Sequence, residues 1–176
     1  SFENYTTIFS ENTTKHQDWN FEISVNDGVA FSTPITSPQI TIQNSIPQVE
    51  SFTHPTGAVT VTDDIVCYFN ITDNDEDQLS VNFTWSEESG QTITGTKFIE
   101  DGKLENITLY EGNTSTGDVW FCTIKPYDSE IYGDTYTSNS MPIGNEFAET
   151  TTPSIFSSGE NNYTTENLTC SFTITD

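Results

Sequence analysis

The chain has 176 residues, room for one or two small domains, and sets 27 acidic side chains against 4 basic ones for a net charge of −23. That balance excludes nucleic-acid binding, which needs a basic footprint, and an anionic membrane surface would repel it. It invites cations, either metal ions or a salt medium that screens the self-repulsion, beside the plainer reading of a heavily solvated surface. Hydrophobic residues are only 32%, yet aromatics reach 12%, against the aromatic-poor composition of disordered chains, and no run approaches the ~20 apolar residues of a bilayer span.

Residues 1–46 read as the C-terminal half of a repeat. Trp19 to Val25 alternates apolar and polar as a half-buried strand does, Asn26-Asp27-Gly28 is a turn, and Ile35 to Ile42 is a second run leading into the linker Asn44-Ser45-Ile46-Pro47. The same stretch recurs 101 residues on without a gap: Trp19 falls on Trp120, Phe21 on Cys122, Ile23 on Ile124, Asp27 on Asp128 and Asn44 on Asn145.

Residues 47–146 form the complete copy. An edge strand broken at Pro55-Thr56-Gly57 precedes an alternating run with Cys67; the acidic turn Asn74 to Gln78 follows, then Leu79 to Trp85. Gly90 and Gly95 flank a short run, Leu104 to Leu109 is another, Trp120 and Cys122 lie on the next, and Thr135 to Ile143 closes the copy. Two cysteines on alternating strands with a tryptophan between them mark an immunoglobulin-like sandwich of about seven strands. After a linker at 147–152, residues 153–176 begin a further copy, in which Cys170 to Asp176 lies on Cys67 to Asp73. The fold class is therefore all-β, tandem immunoglobulin-like repeats, one complete and two partial. The window reads as cut from a longer array, either continued covalently or completed by strands of another subunit.

Cys67 and Cys122 fall on the strands that face each other across such a core, where a disulfide is expected; the alternative is two buried thiols packed as small hydrophobes. Cys170 is expected to be unpaired with either. Asp73, Asp75 and Asp77 alternate along the acidic turn, and hard cations such as calcium take six to eight oxygens from loops of this kind. In this fold the loop after Cys122 lies at the same end, which brings Asp128, with Glu130 and Asp134, toward them. The alternative is a solvated acidic turn. Asn-x-Ser/Thr occurs at Asn4, Asn12, Asn70, Asn82, Asn106, Asn113, Asn162 and Asn167. Chance explains about half in so Thr-rich a chain, and the excess favours an extracellular glycoprotein with N-linked glycans. The two histidines suggest no pocket, and nothing in the spacing of Lys15, Lys97, Lys103 and Lys125 selects a Lys–Asn cross-link.

Taken together, Cys67, the Asp73/Asp75/Asp77 turn, Trp85, the Gly-Asp-Val-Trp-Phe-Cys run at 117–122 and Pro126-Tyr127-Asp128 make the complete copy similar to the tandem Ig-like and PKD-like repeats of archaeal surface proteins: S-layer components, adhesins and extracellular fibres. Two positions depart from the pattern, Phe21 in place of a cysteine and Glu76 where such repeats often carry Gly. The resemblance implies structural or adhesive work at the cell surface and no catalysis. The expected partners are other copies of the chain or neighbouring repeats. For an adhesin the partner is carbohydrate, held on exposed aromatics among Tyr127, Tyr132 and Tyr136.

Overall fold

The computed structural model describes residues 6–146, 149–159 and 167–175. Four short strands come first: β1 (Asp18–Trp19), β2 (Glu22–Ile23), β3 (Ile35–Thr36) and β4 (Ile40–Thr41). The central sandwich follows with β5 (Gln48–Thr53), β6 (Val59–Thr60), β7 (Ile65–Thr72), β8 (Ser80–Glu87), β9 (Thr92–Phe98), β10 (Leu104–Leu109), β11 (Val119–Tyr127), β12 (Tyr136–Thr137) and β13 (Met141–Gly144). The last piece holds β14 (Glu149–Thr150), β15 (Ser154–Ser157), β16 (Leu168–Ser171) and β17 (Ile174–Thr175).

The sandwich packs a sheet ordered β10-β7-β5 on one ordered β6-β13-β11-β8-β9, with β12 added to β11. The first strand changes sheets at Pro55: β5 pairs with β7, and after the break β6 runs parallel to β13, Val59 opposite Ile143. Alternation along the strands builds the core. Cys67, Phe69 and Ile71 point in from one sheet, Val81, Trp85, Trp120, Cys122 and Ile124 from the other, all without exposed surface. Trp85 stands directly opposite Cys122 in the ladder, so the tryptophan and both sulfurs share the centre. One strand differs from the pattern of the sequence. Gly95 does not bound a run but lies inside β9 opposite Phe83, whose ring occupies the space a Cβ would need, at 2.5 Å.

The repetition extends to individual hydrogen bonds. Asp18 pairs with Thr41 and Trp19 with Ile40, as Val119 pairs with Pro142 and Trp120 with Met141. Ile23 pairs with Ile35 as Ile124 with Tyr136. Asp27 Oδ1 accepts from the Val29 and Ala30 amides at 2.9 and 3.0 Å, and Asp128 Oδ1 from those of Glu130 and Ile131 at 2.8 and 2.6 Å. Gly28 has φ +94, and its counterpart Ser129 takes φ +79 in the same turn. In the last piece Glu149 pairs with Thr175 and Ser154 with Ser171, the register by which Gln48 pairs with Thr72 and Thr53 with Tyr68. What differs is cover. Phe21 and Ile23 are 65% and 54% exposed where Cys122 and Ile124 are fully buried, because among the described residues no second sheet faces the first piece.

Pro47 is fully buried at the start of the sandwich, and its carbonyl oxygen stands where a Cβ on Gly133 would sit, with Pro126 Cγ 2.8 Å from that point. Backbone on one side and a proline ring on the other leave no flexible group to yield. Gly133→Ala is therefore expected to cost about 1–3 kcal/mol in chemical denaturation; an unchanged midpoint would show that this approach is not tight in solution.

Candidate functional site

The acidic loop between β7 and β8 is folded by its own groups. The Asp73 amide donates to Asp101 Oδ1 at 2.7 Å, the Asp75 amide donates to Asp73 Oδ1 at 2.8 Å, and Glu76 turns the chain at φ +58. As a result carboxylate oxygens of Asp73, Asp75 and Asp77 all lie within 4.8 Å of one another. Asp73 is only 7% exposed, and its second oxygen, Oδ2, is buried with no hydrogen-bond partner. Burial pushes its carboxyl above the usual range; the Asp75 amide opposes this, and the charges of Asp75, Asp77 and Asp128 add to it.

The cluster is met by residues of the preceding copy. Lys15 reaches across, with its side chain only 16% exposed, to contact Asp77 and Glu130, and donates to Asn44 Oδ1 at 2.9 Å. Hydrogen bonds to Asp77 and Glu130 hold the lysine ammonium well above its ordinary pKa. His16, at φ +66 where the other copy has Gly117, places Nε2 2.9 Å from Glu130 Oε2. The Ser45 amide donates to Asp75, and Asn44 Nδ2 donates to Asp128 Oδ2 at 2.8 Å. A cleft of about 540 Å³, lined in part by Ser10, Lys15, Ile42, Ser45, Asn74 and Asp75, opens beside the cluster.

Asp128 is next to this group but differently employed. It is fully buried, which alone would raise its pKa; amides of Ile131 and Glu130 and the Asn44 side chain outweigh that and hold it below the usual carboxylate range. Three N–H donors thus occupy its oxygens, and it is not among the three aspartates that converge. Glu130 also joins through Lys15, whose hydrogen bond, with that of His16, lowers its pKa. Asp134 is exposed. Sequence reasoning missed Lys15 and His16; the available signal was a basic pair in a chain with only four lysines.

Cys67 and Cys122 are both buried thiols in this structure. Hydrogen bonding to Cys67, burial and the neighbouring sulfur all push the Cys122 thiol up. Cys170 is exposed and separate. Of the sequons, Asn4 and Asn162 lie outside the described residues. Asn12 and Asn113 occupy equivalent positions, each the last residue of an exposed 3-10 turn, Ser10–Asn12 and Glu111–Asn113, whose following threonine caps the turn at 3.0 Å. Asn106 and Asn167 are exposed and Asn82 half-buried. Asn70 is engaged: its Nδ2 donates to the Gly102 carbonyl at 2.9 Å and its oxygen is buried. Tyr127 and Tyr132 stack with ring centroids 4.4 Å apart, whereas Tyr136 packs against the core.

The fold defines a class, an all-β chain built on an immunoglobulin-like sandwich with short strand pairs before and after it. No protein-family model matches the chain, and no curated protein sequence does. Among solved structures it is similar to the selenomethionine-substituted chicken interferon gamma receptor alpha chain, at 12% identity over 77% of this chain and 70% of that one, with a TM-score of 0.47, a likeness too distant to carry function across. Among the described residues no helix is long and apolar enough to cross a membrane.

Proposed function

We propose that this chain is a non-enzymatic structural module of an extracellular surface assembly, a filament, sheath or S-layer-type lattice, built from glycosylated Ig-like repeats placed end to end. The observation that carries this reading is the joint. One copy does not hang from the next by a bare linker: Lys15, His16, Asn44 and Ser45 of the first engage Asp75, Asp77, Asp128 and Glu130 of the second. Such contacts fix the angle between neighbours, which a load-bearing or lattice-forming rod needs and a tethered binding head does not. Asn145, the counterpart of Asn44, is exposed and bonds its neighbour in the same way: its Nδ2 donates to the Glu146 carbonyl at 2.7 Å, as that of Asn44 does to Ser45.

Two further features fit. Asp73, Asp75 and Asp77 offer a hard divalent cation such as calcium three carboxylates and an oxygen without a donor. The sequons at Asn12 and Asn113 recur at one place in successive copies, so N-linked glycans there would sit at the same point of each copy. Neighbouring repeats and other copies of the chain are the partners. The competing reading, a carbohydrate-binding adhesin, has one observation in its favour, the stacked Tyr127 and Tyr132 on an outer face. Immunogold labelling and electron microscopy of cell-surface material decide between them. Label at regular intervals along a filament or lattice is the expected result, and label confined to isolated, sugar-binding tips would overturn it.

A further inference from the structure

The outer face of the sheet β6-β13-β11-β8-β9 carries one sequon, Asn82, in the middle of β8, with Lys125 directly opposite on β11 and Thr96 directly opposite on β9. The asparagine is held in one orientation. Thr96 Oγ1 donates to its Oδ1 at 2.7 Å, which turns the amide nitrogen the other way, and that nitrogen donates to Tyr132 Oη at 3.3 Å. Tyr132 is itself fixed: it bridges to Tyr127 in the backbone, stacks on that ring, and has the Lys125 ammonium 4.9 Å from its centroid. Tyr127 is anchored in turn by its hydroxyl, which donates to the Ser129 carbonyl at 2.9 Å. Even so Tyr132 is 45% exposed. A fixed, half-exposed tyrosine thus stands against the one atom of the sequon to which sugar is attached.

We propose that the glycan of Asn82 is seated on the protein's own surface, against Tyr132 and Lys125, so that the tyrosine pair receives an intramolecular sugar and not a foreign one. The inference rests on the reading of the chain as a glycoprotein. Attachment draws on a polyprenyl-phosphate-linked sugar donor. The bond from Asn82 Nδ2 to the anomeric carbon forms, the amide gives up one proton, and the bond from that carbon to the lipid phosphate breaks. Nδ2 keeps its second hydrogen and remains a donor beside Tyr132 Oη. The first sugar then leaves the sheet beside the tyrosine ring, whose π-face attracts the C–H groups of a pyranose, and within reach of an ammonium that can donate to its hydroxyls. Asn106 repeats the juxtaposition on the other sheet, where it pairs directly with Tyr68, 43% exposed.

The test uses the glycosylated full chain. Glycopeptide mass spectrometry is expected to find Asn82 occupied. Enzymatic removal of its glycan, in a chain whose other sequons are Asn→Gln, is expected to lower Tm by about 3–5 °C in the wild-type background. The loss should be nearly as large in Tyr132→Phe, which keeps the ring, and at most half as large in Tyr132→Ala. In the wild type the innermost sugar's proton resonances should be displaced upfield by the ring, a reading that depends on no variant. Equal losses in all three proteins with undisplaced sugar resonances would overturn the seat while leaving glycosylation intact. A bare Asn82 would overturn the seat, and the glycoprotein reading as well only where every other sequon is also bare; saturable binding of free oligosaccharides to a protein bare at Asn82 would assign the tyrosines to a foreign carbohydrate.

Discussion

Reducing the folded chain with a phosphine is expected to lower the Tm of the central sandwich by roughly 15–30 °C. Cys67 and Cys122 sit on facing sheets, both fully buried, with Trp85 directly opposite Cys122 in the ladder. Two thiols so placed lose two electrons and two protons to an external oxidant and become a disulfide that closes a loop of some 55 residues. In the chain-entropy treatment that bond stabilises by about 4 kcal/mol, and for a domain near 100 residues each kcal/mol moves Tm by about 4–8 °C. Non-reducing peptide mapping should return the linked pair, with Cys170 bonded to neither. Cys67→Ala with Cys122→Ala should melt where the reduced protein does. Free alkylation of both thiols in native protein under mild denaturation, in the absence of reductant, would refute the bond.

The period of two along β7, β8 and β11 makes the core legible, since alternation alone puts Cys67, Trp85 and Cys122 on inward positions. The repeat is legible for the same reason, and between the first piece and the sandwich its strand registers and turn hydrogen bonds recur at the offset of 101 that the residues suggest. Nine strands stand where about seven are expected. The excess comes from two runs that tertiary pairing divides: the edge run parts into β5 beside β7 and β6 beside β13, and the closing run parts into β12 and β13, which meet β11 at Ile124 and at Trp120. The acidic turn can be read from alternating aspartates, but not its company. Lys15 meets Asp77 across 62 positions and Glu130 across 115, contacts set by the angle between successive copies. No local pattern encodes that angle. Asp128 shows the converse: its proximity to the turn follows from topology, while its three amide donors, which leave it little capacity as a metal ligand, do not.

Chelation is expected to lower Tm by roughly 6–15 °C relative to saturating calcium and to lengthen the distribution of end-to-end distances seen by scattering. The electrostatics give the reason. Asp73 is buried beside two carboxylates, with one oxygen lacking a donor, and Lys15 meets the cluster only at Asp77. A divalent ion bound there neutralises what the lysine cannot reach. At ten to a hundred times its Kd it stabilises by about 1.5–2.7 kcal/mol, an affinity range that extracellular calcium modules occupy at about 0.1–1 mM. The pH dependence carries a distinct sign. Without the ion, the raised pKa of Asp73 means that the folded state holds a proton the unfolded chain has released, so its contribution falls as pH rises from the ordinary aspartate range through the raised value. Asp128 runs oppositely: its lowered pKa gives stability that is present above the ordinary range and lost as pH falls through the folded value. Calcium should abolish the first trend and leave the second. Asp73→Asn removes the buried charge while keeping the shape, so it should match or exceed the chelated wild type in stability and no longer respond to calcium. Lys15→Met should loosen the joint in chelator and regain part of its stiffness when calcium is added. A chelator shift of equal size in wild type and Asp73→Asn would show that any bound ion sits elsewhere.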